Sequence, residues 1–451
     1  MIIRRRLSLS GAAVLVVGAL TLTACGGGGT DEGKGSSAPA SGATAPTAIT
    51  ANTTDPITLR FTWWGNDDRA ERYAQAIELF TTKYPNFTIE PASAAFADYW
   101  PARNTEAAGG GLPDVMQFDS AYLREYAGGD LLADLTPYIE ANILRLGDYD
   151  PNIVAAGNLG GKQIAIPTGT NTLAFFYQPD LTAETGVDFP TGAWTLEDYN
   201  AFCQQVKDAG KSVGGQPILC GKDYTDTFWF FLQWLVQQGT APFTDDGALN
   251  FGATEITEFL NIAAPARAAG VFTPAARLEA LSPLTGFSNN EGISEASWDN
   301  FIASFSGDTG KDNLEIVPIW SGADGRQNFL RPAMLLSAGA NTEHPAEAAL
   351  LIDFLLNDPE VGAIFGTSRG VPVSTTVRDS LSPEAGSADA KVIAYEQLVQ
   401  QDPTAPAPIP VKGFGTIEEK WRTLAQELGY GTVTADQFAE EWLAEAANAI
   451  K

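Results

Sequence analysis

Apolar residues alternate along "ITLRFTWW", Ile57 to Trp64, with the period of two that marks a strand. Neighbouring side chains in a strand point to opposite faces, so Trp63 and Trp64 cannot share one environment. The period then changes. Tyr73, Ile77, Phe80 and Tyr84 recur at spacings of four, three and four, one face of a helix. Asp67 and Asp68 stand where an N-cap and a first-turn acid belong, and Pro85 stops the helix. "NFTIEPAS" returns to strand. Strand, helix and strand within so short a span form a βαβ unit, which pairs its strands in parallel.

Beyond it, "LPDVMQFDS" reads as a buried strand ending at Asp119, and "AYLREYAGGDLLADLTPYI" as a helix with glycine punctuation and a following turn. "GKQIAIPTGTNTLAFFYQPDL" reads as a strand broken at "PTGTNT" and then a second apolar run, a pattern suited to a segment crossing between domains. Residues 195–209, 228–238 and 255–263 read as helices of a second domain. "LEIVPIW" is a strand, "SGADGRQN" a loop, "AMLLSAGA" a buried strand and "HPAEAALLIDFLLND" a helix. This return of α/β patterning after a helix-rich middle predicts that the chain re-enters its first domain.

The chain of 451 residues suits two or three domains, and its 44% of hydrophobic residues suffices for sizeable cores. Its formal charge is −28, from 55 acidic and 27 basic residues. Such a surface repels phosphate backbones and anionic lipid heads, which argues against nucleic acid and a membrane-bound face and leaves neutral or cationic ligands open. The single histidine, His344, precedes Pro345 at a helix start and reads as an exposed cap; no Cys/His cluster has metal spacing, and neither metal nor cofactor is expected.

The first residues read as a targeting device. Arg4, Arg5 and Arg6 precede "GAAVLVVGALTL", an apolar stretch too short for a permanent membrane helix. It ends in "LTAC", which resembles the lipobox of bacterial lipoproteins. That resemblance implies a signal peptide over 1–24 and a lipid on Cys25, with the protein anchored at the extracytoplasmic face of the membrane. Residues 25–55 are rich in Gly, Ser, Ala, Pro and Thr and read as a flexible tether with a reach of roughly 30 Å. Outside the cytoplasm, the remaining pair Cys203 and Cys220 favours a disulfide.

Three strand ends carry unusual residues: Trp64-Gly65-Asn66-Asp67, Phe118-Asp119-Ser120 and Thr168-Gly169-Thr170-Asn171. Ligands of open α/β sheets sit outside the carboxyl ends of the strands. Aromatic faces beside planar polar groups suit a sugar, whose ring has apolar C–H faces and whose hydroxyls both donate and accept. Trp229 in "TFWFFLQWLVQQGT", Trp298 with Asp299 in "EASWDNF", and Trp320 at a strand end extend the set.

In this order and spacing, four stretches carry a family likeness: "LRFTWWGNDDRAERYAQAIELFTTKYPNFTIE", "LPDVMQFDSAYLREYAGGDLLADLTPYI", "KQIAIPTGTNTLAFFYQPDL" and "LLSAGANTEHPAEAALLIDFLLNDPEVGAIFGTSRGVPV". Over most of residues 57–451 the chain resembles the family-1 extracellular solute-binding proteins of bacterial ABC sugar importers, the group containing maltose-binding protein. The resemblance implies an α/β, two-lobe, type II periplasmic-binding-protein fold with a ligand cleft between the lobes. It implies lobe 1 over 56–168 and 332–370, lobe 2 over 173–320 and 373–451, and hinges at 168–173, 320–332 and 370–372. By position, Trp64, Asn66 and Asp67 match the family's first ligand loop, and Phe118 and Asp119 its second. Thr170 and Asn171 fall at a hinge where a polar residue touches sugar, Trp229 and Trp298 match aromatic platforms of the second lobe, and Arg369 matches a hydroxyl ligand or a structural ion-pair partner. Where the family often has Gly-Pro before the second platform, this chain has Ala296-Ser297. Its C-terminal aromatic has no clear counterpart, Phe414 and Trp421 being the candidates. A monomer that hands a di- or oligosaccharide to ABC permease subunits is the implied role.

Rival readings keep some of these features. A glycoside hydrolase needs two carboxyls at a fixed separation, and Asp67, Asp119, Glu291, Glu295 and Asp299 offer no pair the sequence places. The same fold with a polyamine, metal complex or peptide as ligand suits the acidic charge, yet Thr170, Asn171 and Trp298 stand where carboxylates would be wanted. A surface adhesin does not need the hinge-like "PTGTNT" and "ADGRQN" segments.

Overall fold

The computed structural model describes residues 48–451 with the exception of Pro283. The expected signal peptide, Cys25 and most of the expected tether lie outside the described residues. The last residues of that tether are held to the fold, which corrects the boundary at 55. Asn52 Oδ1 accepts from the Thr54 and Asp55 N–H groups at 3.0 Å each, its own N–H donates to Glu347 Oε1 at 2.7 Å, and Asn86 donates to the Asp55 carbonyl at 2.9 Å. A polar Asx turn docks a segment whose lack of apolar side chains suggested freedom.

β1 (Ile57–Trp64), α1 (Asp67–Lys83) and β2 (Phe87–Ala94) form the expected parallel unit, in register from Ile57 opposite Phe87 to Trp64 opposite Ala94. The N-cap of α1 is Asn66, accepting from the Arg69 N–H, so Asp67 and Asp68 occupy the first turn. α2 (Phe96–Ala108) leads to β3 (Val115–Phe118), parallel to β1 on its other side. Trp63 and Trp64 do divide between the faces. Trp63 packs on Phe61 and Tyr73 at 5.0 and 4.7 Å, whereas Trp64 packs on Tyr99 and Trp100 of α2 at 5.3 and 5.9 Å.

β4 (Ile166–Tyr177) runs for twelve residues straight through "PTGTNT". The expected break is absent because the small residues there serve close approach: a Cβ at Gly169 would collide with the Arg369 carbonyl oxygen. After α3 (Leu196–Asp208) and α4 (Phe228–Gln237), the chain forms β5 (Ser294–Trp298), α5 (Ile302–Thr309), β6 (Glu315–Pro318) and β7 (Leu330–Ala338). α6 (Pro345–Asn357), with His344 at its N-cap, and α7 (Pro359–Phe365) precede β8 (Val371–Pro372). The first half of β4 pairs with β7 and β8, and β7 in turn pairs with β3, as the predicted return to the first domain requires. The second half of β4 pairs with β5 and β6. One strand therefore belongs to two sheets.

Beyond β8 the chain forms α8 (Thr375–Ser380), α9 (Ala388–Val399), α10 (Phe414–Tyr430) and α11 (Ala435–Ala449). α10 and α11 pack Trp421 and Trp442 into the core of Phe175, Trp194 and Phe230. α8 does not follow them, although residues 373–451 were expected in the second lobe. Ser374 Oγ donates to Asp148 Oδ2 at 3.0 Å, and Val373 and Val361 share the core of Leu59 and Ile352. The apolar "VPV" after Gly370 keeps the chain in the first core for another turn. α9 bridges to the second sheet, where Tyr395 donates to the Leu173 carbonyl at 2.7 Å.

Cys203 of α3 and Cys220 are joined, with Cα atoms 5.5 Å apart and a sequence separation of 17. Closing a loop of that size stabilises the native state by about 3 kcal/mol through the unfolded chain. The double substitution Cys203→Ala/Cys220→Ala is expected to lower the melting temperature by several degrees, and reductant is expected to do the same to the parent only. An unchanged melting temperature in both would contradict the bridge.

Candidate functional site

Register determines what lies beyond the carboxyl edge of the first sheet. Phe118 at the end of β3 stands opposite Leu335, so the line past β3 runs back along antiparallel β7 toward Arg331. Arg331 in turn stands opposite Asn171 of β4, which puts the two side chains on one face. The Arg331 guanidinium lies over two indoles, 4.5 Å from the Trp229 centroid and 5.4 Å from that of Trp298. Those rings are 5.5 Å apart and inclined at 70°. Trp229 comes from the first turn of α4 and Trp298 from the end of β5, and Phe414 at the start of α10 closes on Trp229 at 5.0 Å.

Two carboxylates face this cluster. Asp119 from the end of β3 and Glu418 from α10 both act electrostatically on Arg331, yet neither comes within the 4.0 Å of an ion pair. Burial lowers the Arg331 pKa, more than the two acids raise it. Burial also raises the Glu418 carboxyl above its ordinary range, against the lowering effects of Arg331 and of a hydrogen bond with Trp229. Among the described residues no hydrogen bond engages the Arg331 guanidinium, and its Nε is buried without a partner.

The cluster thus unites Asp119, Asn171, Trp229 and Trp298 from the predicted set. Alternation turns two of the others away. Thr170 and Thr172 point away from Asn171 and are buried. Asp299 points away from Trp298 and is fully buried, its Oδ2 accepting from the Thr172 N–H at 3.1 Å and its Oδ1 from the Asn300 N–H at 2.7 Å. Its carboxyl also meets that of Glu396, whose Oε2 accepts from Thr170 Oγ1 at 2.5 Å. Two acids in such contact without solvent hold a proton between them. Burial pushes Asp299 up to about 7, and burial with the Asp299 charge pushes Glu396 well above its usual range.

Phe118 is buried against Trp100 and Tyr126. Trp64 is only 8% exposed, within the same aromatic cluster, so it is a packing residue and no open wall. Trp320 is buried on Phe175 and Phe230. Arg369 is drawn inward, its guanidinium 3.6 Å from the Phe365 centroid and donating to the Leu355 carbonyl at 3.0 Å; among the described residues it makes no ion pair, and its Nε and Nη1 are buried without partners, so its contacts are packing contacts where the sequence had left a ligand or an ion-pair partner open. Asn66 and Asp67 remain exposed at the start of α1. Trp421 is buried, its indole donating to the Thr225 carbonyl. The sequence reading missed Arg331 and Glu418. The signal for Arg331 was present: a lone cation in "NFLRPAMLL", inside an apolar strand, requires a partner or a purpose.

A separate cavity of about 630 Å³ lies between residues 158–161 and 239–245. It offers one aromatic ring, Phe243, and its Arg124 is engaged by the carbonyls of Asp245 and Ile409, at 2.6 and 3.4 Å. It lacks the stacked platform of the Arg331 cluster.

The two sheets sharing β4, with aromatic and polar side chains at their common edge, are the architecture of a two-lobe solute-binding protein. Residues 75–395 match the bacterial extracellular solute-binding proteins, and the chain belongs to that family. Among solved structures it is similar to a family-1 extracellular solute-binding protein from Alicyclobacillus acidocaldarius, with 23% identity over 88% of this chain and 100% of that one, at a TM-score of 0.74. A periplasmic oligogalacturonide-binding protein from Yersinia enterocolitica gives 23% identity, the same coverages and a TM-score of 0.72. The GacH receptor of Streptomyces glaucescens, solved unliganded and with acarbose, gives 17% identity over 87% and 99%, at a TM-score of 0.62. At these identities the structural likeness speaks for the fold.

The Asp299–Glu396 pair makes stability depend on pH. Both groups have native pKa values raised above those of the unfolded chain, so the folded state holds protons that the unfolded state has released. Their contribution is complete below about pH 4 and is lost as pH rises through about 7. The melting temperature is expected to fall between pH 5 and 8, and Asp299→Asn is expected to flatten that slope. A wild-type melting temperature that rises across this interval, or a variant with an unaltered slope, would contradict the shared proton.

Proposed function

We propose that this protein is the substrate-binding lipoprotein of an ABC importer, anchored through Cys25, which captures a di- or oligosaccharide between its lobes and delivers it to membrane permease subunits. The observation that carries the sugar reading is the half-buried Trp298 indole beside Asn171 and Asp119, held from behind by the buried Trp229: one indole face for ring C–H groups, and planar acceptors and donors for hydroxyls. Relatives named for oligogalacturonide and for acarbose support it. Lobe rotation about residues 168–173, 320–332 and 370–372 would bring the platforms onto the ligand, and contacts to both lobes would favour the closed form. A micromolar dissociation constant requires only about 8 kcal/mol net.

The rival readings lose ground on the same geometry. A polyamine in this cluster would face the Arg331 cation. Of the acids a hydrolase would draw on, Glu291 is ion-paired with Arg277, Glu295 and Asp299 are buried, and Asp67 is exposed at the start of α1, which leaves Asp119 alone of the five at the cluster.

Titration calorimetry on a panel of di- and oligosaccharides and on spermidine tests the proposal. At least one saccharide is expected to bind in the micromolar range, and Trp298→Ala to weaken it about ten- to hundredfold, a loss of about 1.4–2.8 kcal/mol. Arg369→Met is expected to lower the melting temperature while leaving the affinity of the folded protein near its original value. Binding of spermidine with no saccharide bound would overturn the reading.

A further inference from the structure

Arg331 sets a problem that a neutral sugar does not solve. Its guanidinium presents five N–H donors in a planar fork. The Trp229 and Trp298 rings fix its plane, and no protein acceptor engages it among the described residues. Removing a charge from water is costly unless an opposite charge or several acceptors replace the lost hydration. Arginines that assist hydroxyl recognition can satisfy this by pairing with a neighbouring carboxylate; here Asp119 and Glu418 stay beyond ion-pair distance.

The surrounding backbone adds positive potential. α4 begins at Phe228 and α10 at Phe414, and the contact between Trp229 and Phe414 brings the two helix starts together. Neither has a side-chain cap bond or an acid in its first turn; the Phe230 N–H turns to the Thr227 carbonyl and the Phe414 and Thr416 N–H groups to those of Val411 and Gly413, so each end contributes its dipole more than open donors. Other charges near these ends largely cancel: Lys222 pairs with Asp226 at 3.1 Å, and Arg422 pairs with Glu419. Asp119 and Glu418 remain as the groups opposing an anion. Burial has raised the Glu418 carboxyl, which eases its protonation.

We propose that Arg331 is a carboxylate anchor, and that the ligand class is an acidic saccharide, one carrying a uronic acid, held by a bidentate Arg331–carboxylate pair while the half-buried Trp298 covers one of its rings and the buried Trp229 backs the guanidinium. The proposal rests on the carbohydrate reading above and sharpens it. It also runs against the expectation drawn from the overall charge: the −28 is a property of the whole surface, whereas recognition depends on the field within one cleft.

The test compares matched ligands on the full chain. Disaccharides of galacturonic and glucuronic acid, and the methyl esters of the same disaccharides, are titrated calorimetrically at low and moderate salt. For at least one sugar the free acid is expected to bind tenfold or more tighter than its ester, with the preference narrowing as salt rises. Arg331→Gln is expected to bring acid and ester to similar affinity, and Arg331→Lys to restore part of the difference. Ester or neutral disaccharide bound as tightly as the acid would overturn the carboxylate anchor while leaving the carbohydrate reading intact. If neither acids, esters nor neutral saccharides bind, the carbohydrate reading fails and this inference falls with it. The acid-to-ester comparison on the unaltered protein needs no variant to fold.

Discussion

The structure depends on a single strand serving two sheets. β4 enters the first sheet at Ile166 and leaves the second at Tyr177, so any movement of one half relative to the other must pass through its middle. There the period of two separates two kinds of chemistry. Asn171 lies beside Arg331, while the Thr170 hydroxyl and the Thr172 N–H donate to a buried pair of acids contributed by α9 and the segment after β5. A one-residue shift in register would exchange these faces. The bulge between Pro332 and Leu335 in β7 and the close passage of the Arg369 carbonyl by Gly169 help hold the register where it is.

Much of this organisation was legible in the chain. Alternation in "ITLRFTWW" correctly placed Trp63 and Trp64 on opposite faces, and helical spacing of Tyr73, Ile77 and Phe80 located α1. What alternation could not say was whether the outer face meets solvent. Trp64 is covered by α2, whose Tyr99 and Trp100 are remote from it in sequence, and that tertiary contact turned a presumed sugar platform into core. Trp320 and Phe118 failed in the same way. Pro, Gly and hydroxyl residues in "PTGTNT" suggested a break because those residues usually punctuate; here they permit three chain segments to approach closely. Arg331 was passed over and Arg369 was left open between two roles, since a strand position and a loop position look alike until the partners are known.

A cation lying on two indoles is worth on the order of 1–2 kcal/mol when desolvated. That attraction orients Arg331 but gives its buried Nε no acceptor, which is the place the proposed carboxylate would fill. The separation of Asp119 and Glu418 from Arg331 is consistent with the same idea: a collapsed ion pair would have filled the site by itself. In the proposed site an aromatic wall, one unpaired fork and two flanking acids would discriminate by geometry and by charge together.

Closure on a saccharide is the claim on which the functional account stands. Distance measurements between spin labels at Glu78 on α1 and Ser212 after α3, both exposed and one in each half, address it directly. With a saccharide that binds, the account predicts a narrower distribution shifted to shorter distance, and the same titration midpoint as calorimetry. Binding with no change in the distribution would show a rigid molecule and contradict capture by closure.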